Sequence, residues 1–87
     1  MAKTEWLDVH FAERPVVKIG NDYYLALSFH NTLSAAKKRL LKSDYPENQR
    51  IVRRGKRYAR LDRCSKPRTE KIKAGLKALE RQRRMAI

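Results

Sequence analysis

Between Arg50 and Arg63 the chain reads RIVRRGKRYARLDR, in which guanidinium and ammonium groups crowd around one aromatic ring, Tyr58. Side chains of these types engage phosphates through charge-assisted hydrogen bonds, and an aromatic ring among them can stack on a base. Ile51, Val52, Tyr58, Ala59 and Leu61 supply the β-branched, aromatic and apolar residues of two short strands. Arg54-Gly55 between them reads as the turn, since glycine tolerates positive φ. With those two residues as the loop, Arg53 pairs with Lys56 and Ile51 with Tyr58. Arg53, Lys56, Tyr58 and Arg60 then share one face, and Val52, Ala59 and Leu61 share the other, which is apolar enough to lie on a core. The plainer alternative is a solvated edge hairpin whose charges keep it soluble and unpaired.

Catalytic chemistry has weaker material. Ser28, His30 and Cys64 could be assembled with a carboxylate into a nucleophilic site, but no nucleophile-elbow motif frames them. Lys56, Arg57, Tyr58 and Arg60 could stabilise a cyclising phosphate in a small basic ribonuclease toxin, a reading that rests on residue types alone. The acidic residues are scattered among cations rather than paired for a metal-dependent nuclease. One cysteine and two histidines make no structural zinc set, and the three glycines stand apart rather than in a phosphate loop. The expectation is a protein that is not an enzyme and uses neither metal nor cofactor.

Charge is segregated along the 87 residues. The formal net charge is +13, from 22 basic and 9 acidic side chains, more than solubility requires and suggestive of a polyanionic or acidic partner. Residues 1–36 hold three of the basic and four of the acidic side chains, together with most of the large apolar residues, so the whole excess lies beyond them. The first part reads as scaffold and the second as contact surface. A lone Cys64 suits a reducing compartment, and neither a signal peptide nor a membrane-spanning run is evident, so a soluble cytoplasmic protein is expected.

The elements that must position the basic residues follow from periodicity. Leu7, Val9 and Phe11 alternate with Asp8 and His10, which favours a half-buried strand over a short helix across Trp6–Phe11. After Pro15, Val16–Ile19 and Tyr23–Phe29 form a hairpin about the Gly20-Asn21-Asp22 turn signal. The run VVKIGNDYYLAL is similar to the opening of the swapped-hairpin transcription factors that include many antitoxins, but a Gly-Asn turn between apolar strands names no family. Beyond Phe29 the period lengthens to about 3.6. Asn31 or Thr32 caps a helix with Leu33, Ala36, Leu40 and Leu41 on one face and Lys37, Lys38, Arg39 and Lys42 on the other.

Pro46 closes that helix, and the short gap before the basic hairpin leaves no room for a helix-turn-helix or winged helix. From Ser65, a plausible N-cap, a second helix can run to Ala86, with Ile72, Leu76 and Leu79 as its stripe and Lys66, Arg68, Lys71, Lys73, Lys77, Arg81, Arg83 and Arg84 around it. Its half beyond Leu79 is expected to fray until a partner neutralises the charge.

The fold expected is α+β: a small single domain of β-hairpins with one internal amphipathic helix and a basic C-terminal helix. Residues 1–49 are the apolar scaffold, 50–63 the basic hairpin and 65–87 the basic helix. The function expected is non-catalytic binding of nucleic acid, with DNA and RNA both open, through Arg50, Arg53, Arg54, Lys56, Arg57 and Arg60 on the hairpin and Lys71, Lys73, Lys77, Arg81, Arg83 and Arg84 on the helix. Tyr58 is the candidate stacking platform. The alternative is a small accessory modulator, of a mobile-element type, docking on an acidic surface of a nucleic-acid-processing complex, with Trp6, Tyr23, Tyr24 or Tyr45 as anchors. The apolar surplus of the first part also suggests a homodimer through the N-terminal strands.

Overall fold

The computed structural model describes residues 3–85. Five strands, β1 (Thr4–Phe11), β2 (Arg14–Ile19), β3 (Asp22–His30), β4 (Gln49–Arg54) and β5 (Arg57–Arg63), form one antiparallel sheet in the order β1-β2-β3-β5-β4. Helix α1 (Leu33–Leu41) and a single 3-10 turn at Pro46–Asn48 join β3 to β4, and helix α2 (Lys66–Met85) follows β5. The expected class, a small α+β domain with one internal helix and one C-terminal helix, is what forms.

Three two-residue turns set the registers. Gly20 and Gly55 each have φ of 60° and each occupy the first central position, the place that type II′ turns reserve for glycine. The first turn is made by Ala12 and Glu13, at φ 51° and 63°, a left-handed pair that neither side chain favours. Pairing of Phe11 with Arg14 across it holds the pair in place.

The sheet is strongly curled. Neighbouring strands lie ~4.8 Å apart, so the outer strands of a flat five-stranded sheet would be separated by roughly 19 Å. Instead the Arg54 guanidinium, on edge strand β4, stands 4.1 Å from the ring centroid of Trp6 on the opposite edge, β1. The concave face thereby closes on itself. Val17, Ile19, Tyr24, Ala26, Ala59 and Leu61 are buried there, with Trp6 and Val52 packed against them. Alternation sends Val16, Tyr23 and Leu25 to the convex face, where they meet Cys64 and Ile72, with Leu7, Val9, Phe11 and Leu76 at the margin. Helix α2 lies over this second cluster.

The helix stripes are narrower than their periodicity suggests. In α1, capped by the Thr32 hydroxyl accepting from the Ala35 N–H at 3.1 Å, Ala36 is buried but Leu33 is exposed and Leu41 is 74% exposed. Leu41 lies about 140° around the helix from Ala36, too far to reach β3 and β5. In α2, Ile72 is buried, Leu76 half-buried and Leu79 already exposed, and every described residue from Lys77 onward is exposed. The helix is continuous to Met85, and its expected end at Ala86 lies outside the described residues. None of the described helices is long and apolar enough to cross a membrane.

Candidate nucleic-acid interface

The basic hairpin forms, but its turn lies one residue later than expected, which moves each cross-strand partner by two. Its loop is Gly55-Lys56 rather than Arg54-Gly55, so Arg54 pairs with Arg57, Arg53 with Tyr58 and Ile51 with Arg60. The expected pairs Arg53–Lys56 and Ile51–Tyr58 are therefore corrected. Placing glycine second assumes the Asn-Gly pattern of a type I′ turn, whereas here the residue with positive φ comes first. The apolar side was read correctly, with Val52, Ala59 and Leu61 all on the concave cluster.

Register divides the cations between the faces. Arg50 and Arg54 pair with Leu61 and Arg57, which puts them on the concave side, where Arg50 lies over Tyr24 at 6.0 Å and Arg54 over Trp6. A guanidinium on a ring uses its flat face and keeps its N–H edge for phosphate oxygens. Arg53 is exposed at the turn, its Nε donating to the Gly55 carbonyl at 3.0 Å. Lys56 and Arg57 are exposed beside it, so the tip presents Arg53, Arg54, Lys56 and Arg57 together. Tyr58 is half-buried opposite His30.

Arg60 does not join that surface. It is 6% exposed on the convex side and belongs to a network under the end of α1. Its Nε donates to the Ser28 hydroxyl at 3.0 Å, and its Nη1 donates to the Ser43 hydroxyl at 3.0 Å and the Gln49 amide oxygen at 2.8 Å. Burial, then the Arg39 and Arg14 guanidiniums, hold its pKa below the ordinary arginine value, with Asp62 opposing in part. The expectation of an exposed phosphate contact fails because three neutral acceptors gather around the guanidinium once the chain has folded over it. The set Lys56, Arg57, Tyr58 and Arg60 likewise does not converge, since Arg57 and Arg60 face opposite sides of β5.

Of the other chemical candidates, Ser28 Oγ and His30 Nε2 meet at 2.8 Å, next to Arg60, whereas Cys64 lies in the cluster beneath α2. Burial pushes the Cys64 thiol pKa up, with Asp62 acting in the same sense and Arg68 against it. The fold thus favours the neutral thiol, so this contribution is complete below the thiol's unfolded pKa and is lost as pH rises toward its folded value. Cys64 should react with a disulfide reagent such as DTNB only at the rate of opening near neutral pH, and melting temperature should fall on the alkaline side. Immediate reaction in the native protein would contradict the burial.

On α2, Lys73, Lys77, Arg81 and Arg84 recur at spacings of three and four and form one outward stripe, with Lys71 on the opposite flank. Arg83 departs from this set, lining a groove with Leu7, Val9, Leu76, Leu79 and Glu80. Arg84 bridges to Glu80 at 3.2 Å, the expected i, i+4 pair, exposed and worth only a few tenths of a kcal/mol, roughly 0.2 to 0.5. The helix departs from the Arg63 end of β5 and the hairpin tip sits at the Arg57 end, so the two basic surfaces are anchored ~20 Å apart along one strand.

No family model matches the chain, and neither any curated protein nor any solved structure matches it. Among the described residues, no group of three or more His, Cys, Asp or Glu side chains could hold a metal ion. The functional reading rests on this surface alone.

Proposed function

We propose that this is a non-catalytic, cytoplasmic nucleic-acid-binding protein whose phosphate contacts come from the hairpin tip and from the outer stripe of α2. The observation that carries the reading is the tip: Arg53, Arg54, Lys56 and Arg57 project from a turn whose apolar side is anchored in the concave core. Their arrangement on a hydrogen-bonded ribbon spares the backbone share of the ordering cost that a flexible basic tail incurs on binding. Within the stripe, Lys73, Lys77 and Arg81 make no salt bridge among the described residues. Arg50, above Tyr24, extends the ribbon's surface toward the body.

About six to eight phosphate contacts drawn from these residues would give a salt slope of roughly −5 to −7 on B-DNA, and somewhat less on single strands. Fluorescence anisotropy with labelled duplex DNA, single-stranded DNA and hairpin RNA, each across a salt series, tests this. Tight binding that weakens steeply with salt is expected, and the preferred probe decides between DNA and RNA. Weak binding to every probe near physiological salt would contradict the reading and favour the acidic protein partner.

A further inference from the structure

Arg60 is a cation nine-tenths buried that forms no salt bridge among the described residues. Buried charges are ordinarily paired, because neutral hydrogen bonds replace only part of the hydration they lose. Here the partners are two hydroxyls and an amide oxygen, and the nearest like charges, Arg39 and Arg14, oppose the charged form. Asp62 favours the charged form in part, but it makes no salt bridge to the guanidinium.

Its remaining nitrogen, Nη2, has no hydrogen-bond partner among the described residues, yet none of their buried side-chain nitrogens or oxygens lacks one. Nη2 is therefore not sealed from solvent, and Arg60 lines a cleft together with Arg39, Lys42, Ser43 and Tyr45. Two carboxylates also face this cleft. Asp62, which also meets Arg68 at 3.9 Å, and Asp44 are set against the three cations Arg39, Lys42 and Arg60, so the lining keeps a formal excess of one positive charge.

We propose that the cleft over Arg60, between the end of α1 and the β4–β5 ribbon, binds a single phosphate group. Arg60 Nη2 forms the floor, held in aim by Ser28, Ser43 and Gln49, while the Arg39 and Lys42 side chains close over the anion from the rim. A recessed guanidinium suits a phosphate that projects from its carrier, such as free phosphate or the terminal phosphate of a strand, better than one within a duplex backbone. Only the strand-end source rests on the nucleic-acid reading. The phosphate site itself does not.

Thermal unfolding with inorganic phosphate against chloride at matched ionic strength tests the site, using wild type, Arg39→Gln/Lys42→Gln and Arg60→Lys. Phosphate should raise the melting temperature of wild type, and both variants should lose that increment. The rim pair is exposed, so its variant reports on the site even if Arg60→Lys folds poorly. No increment over chloride in wild type, or an increment undiminished in the rim variant, overturns the proposal.

A 5′-phosphorylated single strand should bind about tenfold more tightly than its 5′-hydroxyl form, the scale of a new hydrogen bond between charged groups. Equal affinities with the phosphate increment intact would assign the site to free phosphate. A variant of the hairpin tip should keep the phosphate increment, so failure of the interface and failure of the site give different readouts.

Discussion

Alanine at Arg53, Arg54, Lys56 and Arg57 together will weaken binding to the preferred nucleic acid by about 30- to 1000-fold. The estimate takes roughly 0.5 to 1 kcal/mol for each exposed charge contact, hence ~2 to 4 kcal/mol for four. The salt slope should also fall in magnitude by about four, since each lost phosphate contact removes close to one unit. Arg54 has a second role, because its guanidinium on Trp6 links the two edges of the curled sheet. Loss of that contact costs roughly 0.5 to 1 kcal/mol of stability at an exposed site. A triple variant that keeps Arg54 separates the effects: it should melt like wild type while its salt slope falls by about three. Unchanged slope and affinity in the quadruple variant would show that the tip touches no phosphate.

The largest effect on stability is expected at Leu61→Ala. Leu61 is 0% exposed, between Ala26 of β3 and Arg50 of β4 in register, and it belongs to the cluster that closes the concave face. Truncation leaves a cavity bounded by strands that cannot collapse without breaking their ladders, at a cost of about 2 to 5 kcal/mol. A domain of this size has roughly 4 to 13 kcal/mol in total. At about 4 to 8 °C per kcal/mol, the melting temperature should drop by ~8 to 40 °C, measurable by circular dichroism. A loss under about 1 kcal/mol would mean that the curled face is not the main core.

Much of this architecture is legible in the chain. Leu7, Val9 and Phe11 alternate as a strand, and they pack on the margin of the convex cluster. The Gly20-Asn21 turn and the segments on either side of it stand where their β-branched and aromatic residues indicate. Thr32 caps α1, and Ile72 docks α2. These features are local, set by period and turn chemistry within a few residues.

What escaped the sequence depends on residues far apart in it. Arg60 carries the same chemistry as Arg53 and Arg57 and differs only in what folds over it, Ser43 from the end of α1 and Gln49 from the start of β4. The Ala12-Glu13 turn has no glycine or asparagine to announce it and is imposed by the strands it joins. Trp6 under Arg54 could not be anticipated, because a one-dimensional pattern does not say that the outer strands of a sheet will meet. The hairpin slip came from a choice between two turn types that both use glycine; it moved each cross-strand partner by two residues and so left every strand arginine on the face expected of it.

The most direct test of the interface is an amide chemical-shift map of the isotope-labelled protein titrated with its preferred nucleic acid at moderate salt. Perturbations concentrated at Arg53–Arg57 and along the Lys73, Lys77 and Arg81 stripe of α2, with the buried strand β2 unmoved, are the predicted result. A map confined to other surfaces, or the absence of perturbation at saturating concentrations of all three probes, would contradict the claim that these basic residues are the contact surface.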